Sequence, residues 1–188
     1  MEKKLSKFDL NNNQIPNKAS FEFAHMVASE LHDDFRKQFK EASWEYIKDK
    51  KFVSLLKANE LPNNIRLHNG QYQMDIVHST YDELSPDLQY ESKEFGQCAA
   101  DLVIRNQEVK TGLTEEQVGD EIHKKWLTIY PYLKGDPFYD LPFKILPKNI
   151  QNRLLNKYKI ANSVAEQLKE QGKALQNIQK QNGPEIEM

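Results

Sequence analysis

Histidine is the side chain here best suited to chemistry near neutral pH, because its ring exchanges a proton or holds a metal in that range. Two of the five histidines sit in near copies of one motif. Val27-Ala28-Ser29-Glu30-Leu31-His32-Asp33-Asp34-Phe35 and Val118-Gly119-Asp120-Glu121-Ile122-His123-Lys124-Lys125-Trp126 lie 91 positions apart. Both read Val, small, polar, Glu, aliphatic, His, two charged residues, aromatic. Each His could meet a ligand at the mouth of a pocket lined by Trp126 or Phe35. The favoured reading is structural: each His stands one step around its helix from Ile122 or Leu31 and donates a ring N–H to a backbone carbonyl, anchoring the loop that follows. Metal chemistry is disfavoured. His25 and His32 are seven apart on one helical face, too far to share an ion without a loop ligand, and no carboxylate–histidine set has zinc-helix spacing.

Other reactive groups are sparse. The acid pairs Asp33-Asp34, Asp82-Glu83 and Asp120-Glu121 are sequence neighbours, which point about 100° apart on a helix and do not share one site by spacing alone. The sequence has no glycine-rich phosphate loop and no nucleophile elbow. Cys98 is the sole cysteine, which excludes an internal disulfide and a multi-thiolate zinc site; beside Ala99, Ala100 and Leu102 it reads as a small buried hydrophobe. No catalytic residue, metal or cofactor is expected, and an enzyme is the least favoured class. A closed pocket gathering His, Asp and Glu from both copies would revive it.

The elements that carry the motif are helical. Phe23, Val27, Leu31, Phe35 and Phe39 recur every fourth position with Ala24 and Ala28 beside them, after Ser20 as a candidate N-cap, so one stripe of a first helix faces a core. A second apolar group, Trp44 to Leu56, is interleaved with lysines and reads as helical until Leu61-Pro62-Asn63-Asn64 breaks it. Residues 65–80 alternate loosely around Asn69-Gly70, the signature of a short β-hairpin. Ser85-Pro86 starts a helix carrying Leu88, Phe95, Ala99, Leu102 and Val103 to near Asn106, with a linker around Lys110-Thr111-Gly112. Thr114 and Gln117 form a capping box, and Leu113 and Val118 a hydrophobic staple. That helix runs through Ile122, Trp126 and Ile129 and stops by Pro131. Leu146-Pro147 opens a helix extending towards residue 180, in which Val164, Leu168, Gln171, Leu175 and Ile178 have heptad-like spacing. Gly172 weakens that helix by roughly 1 kcal/mol, so a kink or fraying is expected there.

A second matched pair strengthens the duplication. Leu84-Ser85-Pro86-Asp87-Leu88-Gln89 corresponds to Leu146-Pro147-Lys148-Asn149-Ile150-Gln151, each with an aromatic three residues earlier, Tyr81 or Phe143. These blocks are 62 positions apart, so 29 residues are inserted in the first copy. The following helices differ in charge: residues 82–101 hold six acids, Asp82, Glu83, Asp87, Glu91, Glu94 and Asp101, against Lys93, while 141–165 hold Lys144, Lys148, Arg153, Lys157 and Lys159 and no acid. Most of that charge reads as solvated surface. It could also pair the copies within a chain or across a dimer, or make Lys148, Arg153 and Lys157 an anion site at a helix start.

In each copy, an aliphatic-His-x-x-aromatic helix, a loop, and an aromatic-x-x-Leu helix start with proline close by resemble the ryanodine-receptor-type repeat domain (RyR domain). The matching residues are Ile122, His123, Trp126, Phe143, Leu146 and Pro147, and Leu31, His32, Phe35, Tyr81, Leu84 and Pro86 in the first copy. The resemblance covers roughly residues 20–50, 75–105 and 114–165. The family's Gly-Trp-x-x-Gly and His-Pro loop segments have no clean counterpart: Gly135-Asp136-Pro137-Phe138 is short, and His78 lacks a following proline. The resemblance implies a small helical binding or regulatory module, not an enzyme, recognising nucleotides or other phosphate-bearing groups in bacterial settings.

With 188 residues, 38% hydrophobic and 29% charged content, and a mean hydropathy of −0.79, the chain is long enough to bury a core and polar enough to dissolve. No apolar run approaches the roughly 20 residues of a membrane span, and Met1-Glu2-Lys3-Lys4 leads into no signal-peptide core. A cytoplasmic location is expected. The net charge of −2 gives no general attraction to polyanions, and acids flanking the basic stretch disfavour nucleic acid. The expected architecture is mainly α: a flexible arm (1–19), a first RyR-like helical unit with an insertion (20–109), a second (113–165), and a C-terminal helix and tail (166–188). The expected function is a non-enzymatic module binding a partner protein or a phosphate-containing ligand such as a nucleotide through His123, Trp126, Phe143, Lys148 and Arg153, with His32, Phe35 and Tyr81 as first-copy equivalents. The alternative is an assembly protein, a homo-oligomer built through the C-terminal helix.

Overall fold

The computed structural model describes residues 19–39, 47–49, 64–68 and 71–181. Four α-helices dominate: α1 (Phe21–Phe39), α2 (Pro86–Glu108), α3 (Glu115–Ile129) and α4 (Lys148–Gln181). The strands β1 (Ile47–Asp49), β2 (Ile65–His68) and β3 (Gln71–Asp75) form a small antiparallel sheet with β3 in the centre. Three 3-10 turns, Tyr81–Glu83, Pro131–Leu133 and Phe143–Ile145, complete the described elements. The fold is therefore mainly α, and its internal repetition is physical as well as sequential. Each unit runs helix, connection, 3-10 turn with an aromatic at its head, then helix.

Local chemistry explains the boundaries. The Thr114 hydroxyl accepts from Gln117 N at 3.2 Å while Thr114 N donates to the Gln117 side chain at 2.9 Å, so the box satisfies two donors that a helix start otherwise leaves free. Ser20 caps α1 through its hydroxyl on Phe23 N at 3.2 Å. Pro86 occupies the first turn of α2, where a missing N–H removes nothing. Helix α3 runs through Ile129 and stops before Pro131, as its sequence requires, with Tyr130 N still bonded to Trp126 O.

One core joins all four helices: Phe23 and Val27 of α1, Phe95 and Leu102 of α2, Val118 and Ile122 of α3, and Leu154 and Val164 of α4 are buried in it. Full burial of a side chain such as Phe95 or Ile122 contributes about 1.5–3 kcal/mol. Helix α2 packs against α1, α3 and α4, and α4 against all three others. In unit one, Gly96 of α2 lies so close to α1 that a Cβ there would stand 2.9 Å from Ala24 O and from Ala28.

Two expectations change. Ile47–Asp49, inside the stretch expected to be helical, is a strand that pairs with β3 in the register Ile47 to Asp75 and Asp49 to Gln73; interleaved apolar residues and lysines fit either period, and an available edge on β3 decides between them. The expected hairpin strands are present as β2 and β3, paired antiparallel, while Asn69-Gly70 lies outside the described residues; β3 is central in a three-stranded sheet. Its apolar face, Met74 and Ile76 with Ile65, packs on Leu84, Phe35 and Leu88, so the insertion is built onto unit one. Helix α4 is continuous across residue 165 and through Gly172, where an added Cβ would meet no atom within 4 Å. The arm up to residue 18, most of 44–56 and the tail from 182 lie outside the described residues.

Candidate functional site

Both motif histidines are buried, at 4% and 5% exposure for His32 and His123. Their outer ring nitrogens meet backbone carbonyls: His32 Nε2 lies 2.9 Å from Ser79 O and His123 Nε2 2.8 Å from Tyr139 O. A carbonyl only accepts, so each Nε2 carries the proton. Burial, the largest influence on His32, lowers its pKa against the opposing effect of the Ser79 carbonyl, and the ring is neutral at physiological pH. Each ring also leans on the motif aromatic, with centroids 5.9 Å apart for His32 and Phe35 and 5.7 Å for His123 and Trp126. The pair of histidines acts as two equivalent latches on two connections.

What each latch holds differs. In unit one, Ser79 also donates to Asp75 O at 2.5 Å and accepts from Asn64 at 2.7 Å, while Arg36 Nε donates to Val77 O at 3.0 Å, which ties the sheet to α1. In unit two the His123 latch holds a compact aromatic connection. Gly135, at φ 81°, turns the chain where a side chain would be strained. Its N–H donates to Asp140 at 2.7 Å, Phe138 N donates to Asp136 at 2.8 Å, and Tyr139 packs edge-on to Trp126 at 5.6 Å. The result projects Tyr132 (77% exposed), Phe138 (71%) and Ile145 (59%) into solvent.

The head aromatics are internal. Tyr81 and Phe143 are buried, and so are the matched Leu84 and Leu146. Phe143 lies flat against Gly119: a Cβ there would fall 2.3 Å from the ring. Asp120 accepts from Phe143 N at 3.3 Å, and Gln151 donates to Lys144 O and Leu146 O at 3.1 and 2.8 Å; in unit one Gln89 donates to Tyr81 O at 2.9 Å.

The charge reversal between copies has a structural counterpart. His25 and Asp82 approach to 3.1 Å; the positions that correspond to them, Glu116 and Lys144, approach to 3.3 Å with the carboxylate and its nitrogen partner exchanged. Two further contacts cross between the units. Lys125 of α3 pairs with Glu94 of α2 at 2.9 Å, and at the corresponding positions Asp34 of α1 accepts from Asn156 of α4 at 3.1 Å. Where α2 meets α4, Lys157 Nζ stands 4.0 Å over the centroid of Phe95, and these two residues also correspond to each other. Contacts that map onto themselves when the units are exchanged define an isologous, twofold-like packing. Burial lowers the Lys157 pKa, opposed by Glu91. Close by, burial and a hydrogen bond to Glu91 raise the Tyr130 phenol.

The structure thus separates the eight sequence-selected residues. His32, His123, Tyr81 and Phe143 are buried supports, Phe35 and Trp126 are half-buried beside them, and Lys148 and Arg153 stand exposed on α4. Lys148 reaches Gln151 at 3.3 Å. A cleft of about 180 Å³ lies elsewhere, between the start of α3 and α4, lined by Leu113, Glu115, Val118, Leu155, Tyr158, Lys159 and Asn162. Val164 and Leu168, the first heptad-like positions, pack in or against the core. Among the described residues no group of three or more His, Cys, Asp or Glu is placed to hold a metal ion, and no helix is long and apolar enough to cross a membrane. Sequence reading missed Tyr132, Phe138 and Ile145 as an exposed set; the proline- and glycine-rich spacing of 131–142 was the available signal. Comparison with protein-family models, curated proteins and solved structures finds no match to this chain.

Proposed function

We propose that this chain is a non-enzymatic binding module of two RyR-like units, and that the second unit engages a protein partner through the connection and helix start at residues 131–148. One observation carries the reading. Of the six large hydrophobic side chains exposed among the described residues, three, Tyr132, Phe138 and Ile145, fall in this short stretch. Exposed aromatics on a rigidly held loop are the usual anchors of protein interfaces, because they exclude water at small entropic cost. The His123 latch and the two aspartate-braced turns supply the rigidity. Lys134, Lys144 and Lys148 are exposed in the same stretch and outnumber Asp136 and Asp140, which suits an acidic rim on the partner. The RyR-like character rests on the paired histidine latches and the paired aromatic-x-x-Leu helix starts.

The test is comparative affinity capture with the full chain and its Tyr132→Ser/Phe138→Ser variant. Both side chains are exposed, so the variant keeps its melting temperature and loses the retained protein. Equal retention by both proteins would remove the reading. The phosphate-ligand version rests on Lys148 and Arg153 at the start of α4 and separates cleanly: a thermal shift with nucleotides or inorganic phosphate, abolished by Lys148→Glu/Arg153→Glu, would transfer the function to that ligand class.

A further inference from the structure

We propose that the partner of the aromatic, basic face of unit two is the acidic face of unit one on a second copy of this chain, so that copies associate head to tail. The inference rests on the partner-binding reading above and adds the partner's identity. Residues 20–109 hold ten Lys and Arg against sixteen Asp and Glu, a net of −6, whereas 113–181 hold eleven against eight, a net of +3. The two parts of the chain therefore carry opposite net charge. The polarity is concentrated at corresponding places: the exposed Asp82 and Glu83 of the first 3-10 turn become Lys144 and Ile145 in the second.

The acidic face carries its own apolar anchor: Phe21, 71% exposed, stacks on His25 beside Asp82. One copy therefore offers an exposed ring beside Asp82 and Glu83, and another offers exposed Tyr132, Phe138 and Ile145 in a stretch where three lysines outnumber Asp136 and Asp140. Under the twofold-like packing of the units the turn bearing Asp82 and the turn bearing Lys144 are exchanged, each pairing with the start of its own unit's first helix, His25 or Glu116. A contact between unlike surfaces is heterologous and propagates into a ring or an open chain. The attraction acts over a Debye length of about 8 Å at physiological salt and weakens as salt rises.

Sedimentation velocity on the full chain tests this. At high micromolar concentration and low salt, the weight-average mass is expected to exceed the 22.0 kDa of one chain by about twofold or more and to fall back in high salt. Lys144→Asp/Lys148→Asp makes both faces acidic, and Asp82→Lys/Asp87→Lys makes both basic. Each variant alone should sediment as a monomer, and a mixture of the two should associate again. That rescue also shows both variants to be folded. The exposed Tyr132→Ser/Phe138→Ser variant provides a second, charge-neutral route to the monomer. A wild-type monomer at low salt, association indifferent to the charge reversals, or a mixture that stays monomeric overturns the proposal. If wild type is monomeric while Tyr132→Ser/Phe138→Ser still loses a captured protein, this inference fails and the partner-binding reading stands.

Discussion

Replacing Gly119 with alanine should destabilise the protein, although the same change in an ordinary helix interior is worth about 1 kcal/mol in the opposite direction. An ideal Cβ at Gly119 lies 2.3, 2.4 and 2.5 Å from three atoms of the Phe143 ring. Carbon atoms pack comfortably at about 3.5–4.0 Å, so the ring would have to retreat by roughly 1.2 Å. Phe143 cannot do so freely. It is 3% exposed, its N–H is held by Asp120, and its carbonyl accepts from Leu146 N. Forcing a methyl into such a site costs about 1–3 kcal/mol, up to about 2 kcal/mol net after the helix-propensity gain. For a protein of this size that corresponds to a lowering of the melting temperature by roughly 2–8 °C at the upper part of that range. The informative comparison is a double-mutant cycle by urea denaturation. Phe143→Ala alone costs about 3–5 kcal/mol, but in that background Gly119→Ala should become neutral or stabilising, a coupling of about 1–3 kcal/mol. If Gly119→Ala is as stable as wild type with the ring present, or equally harmful with it absent, the steric reasoning is wrong.

Other perturbations give independent checks. Gly96→Ala should also destabilise, by up to about 2 kcal/mol net in urea titration, because the atoms its methyl meets are the α1 backbone and the Ala28 methyl rather than a movable side-chain end; unchanged stability would mean that α1 and α2 are not so close. The folded-state pKa of His32 lies below its ordinary value of 6.5, so the unfolded chain binds the proton more readily. Its contribution to stability is complete above pH 6.5 and is lost as pH falls below that value towards the folded pKa. A His32→Gln variant should flatten that part of the pH–stability profile, and a slope identical to wild type would refute the assignment. Cys98 should resist alkylation in the native protein, since burial, the dominant cause, pushes its thiol up to about 11 and roughly one thiol in 10⁴ is ionised at neutral pH. Labelling by iodoacetamide should appear on adding denaturant, and prompt native labelling would contradict it.

Short-range chemistry was legible from the residues alone. Thr114 with Gln117 and Ser85 with Pro86 each specify a boundary through their immediate neighbours, and the structure starts α3 and α2 there. The stretch around Ile47 was misread because strand formation depends on a partner, β3, that lies more than twenty residues away. The histidine latch was legible as a role, but its acceptors were not: Ser79 and Tyr139 are chosen by how each connection folds back, at separations of 47 and 16 residues. The opposite charges of the copies were visible, whereas the exchange of carboxylate and nitrogen partner between His25–Asp82 and Glu116–Lys144 requires the three-dimensional pairing. The exposed aromatics of 131–145 were visible as composition only; which of Tyr130, Tyr132, Phe138, Tyr139 and Phe143 turn inward depends on the Gly135 bend and on the core.

The contact between Phe95 and Lys157 has a consequence for how such a molecule can vary. A residue on the axis of a pair of identical protomers meets its own copy, so one substitution arrives twice: two rings stack, and two ammonium groups repel. Covalent linkage of the units removes that constraint. Position 95 can keep an aromatic face while position 157 supplies the cation that rests on it, an attraction that identical chains could not make at that point with a single residue type. The same freedom extends outward from the axis, where each pair of corresponding sites can be adjusted one side at a time.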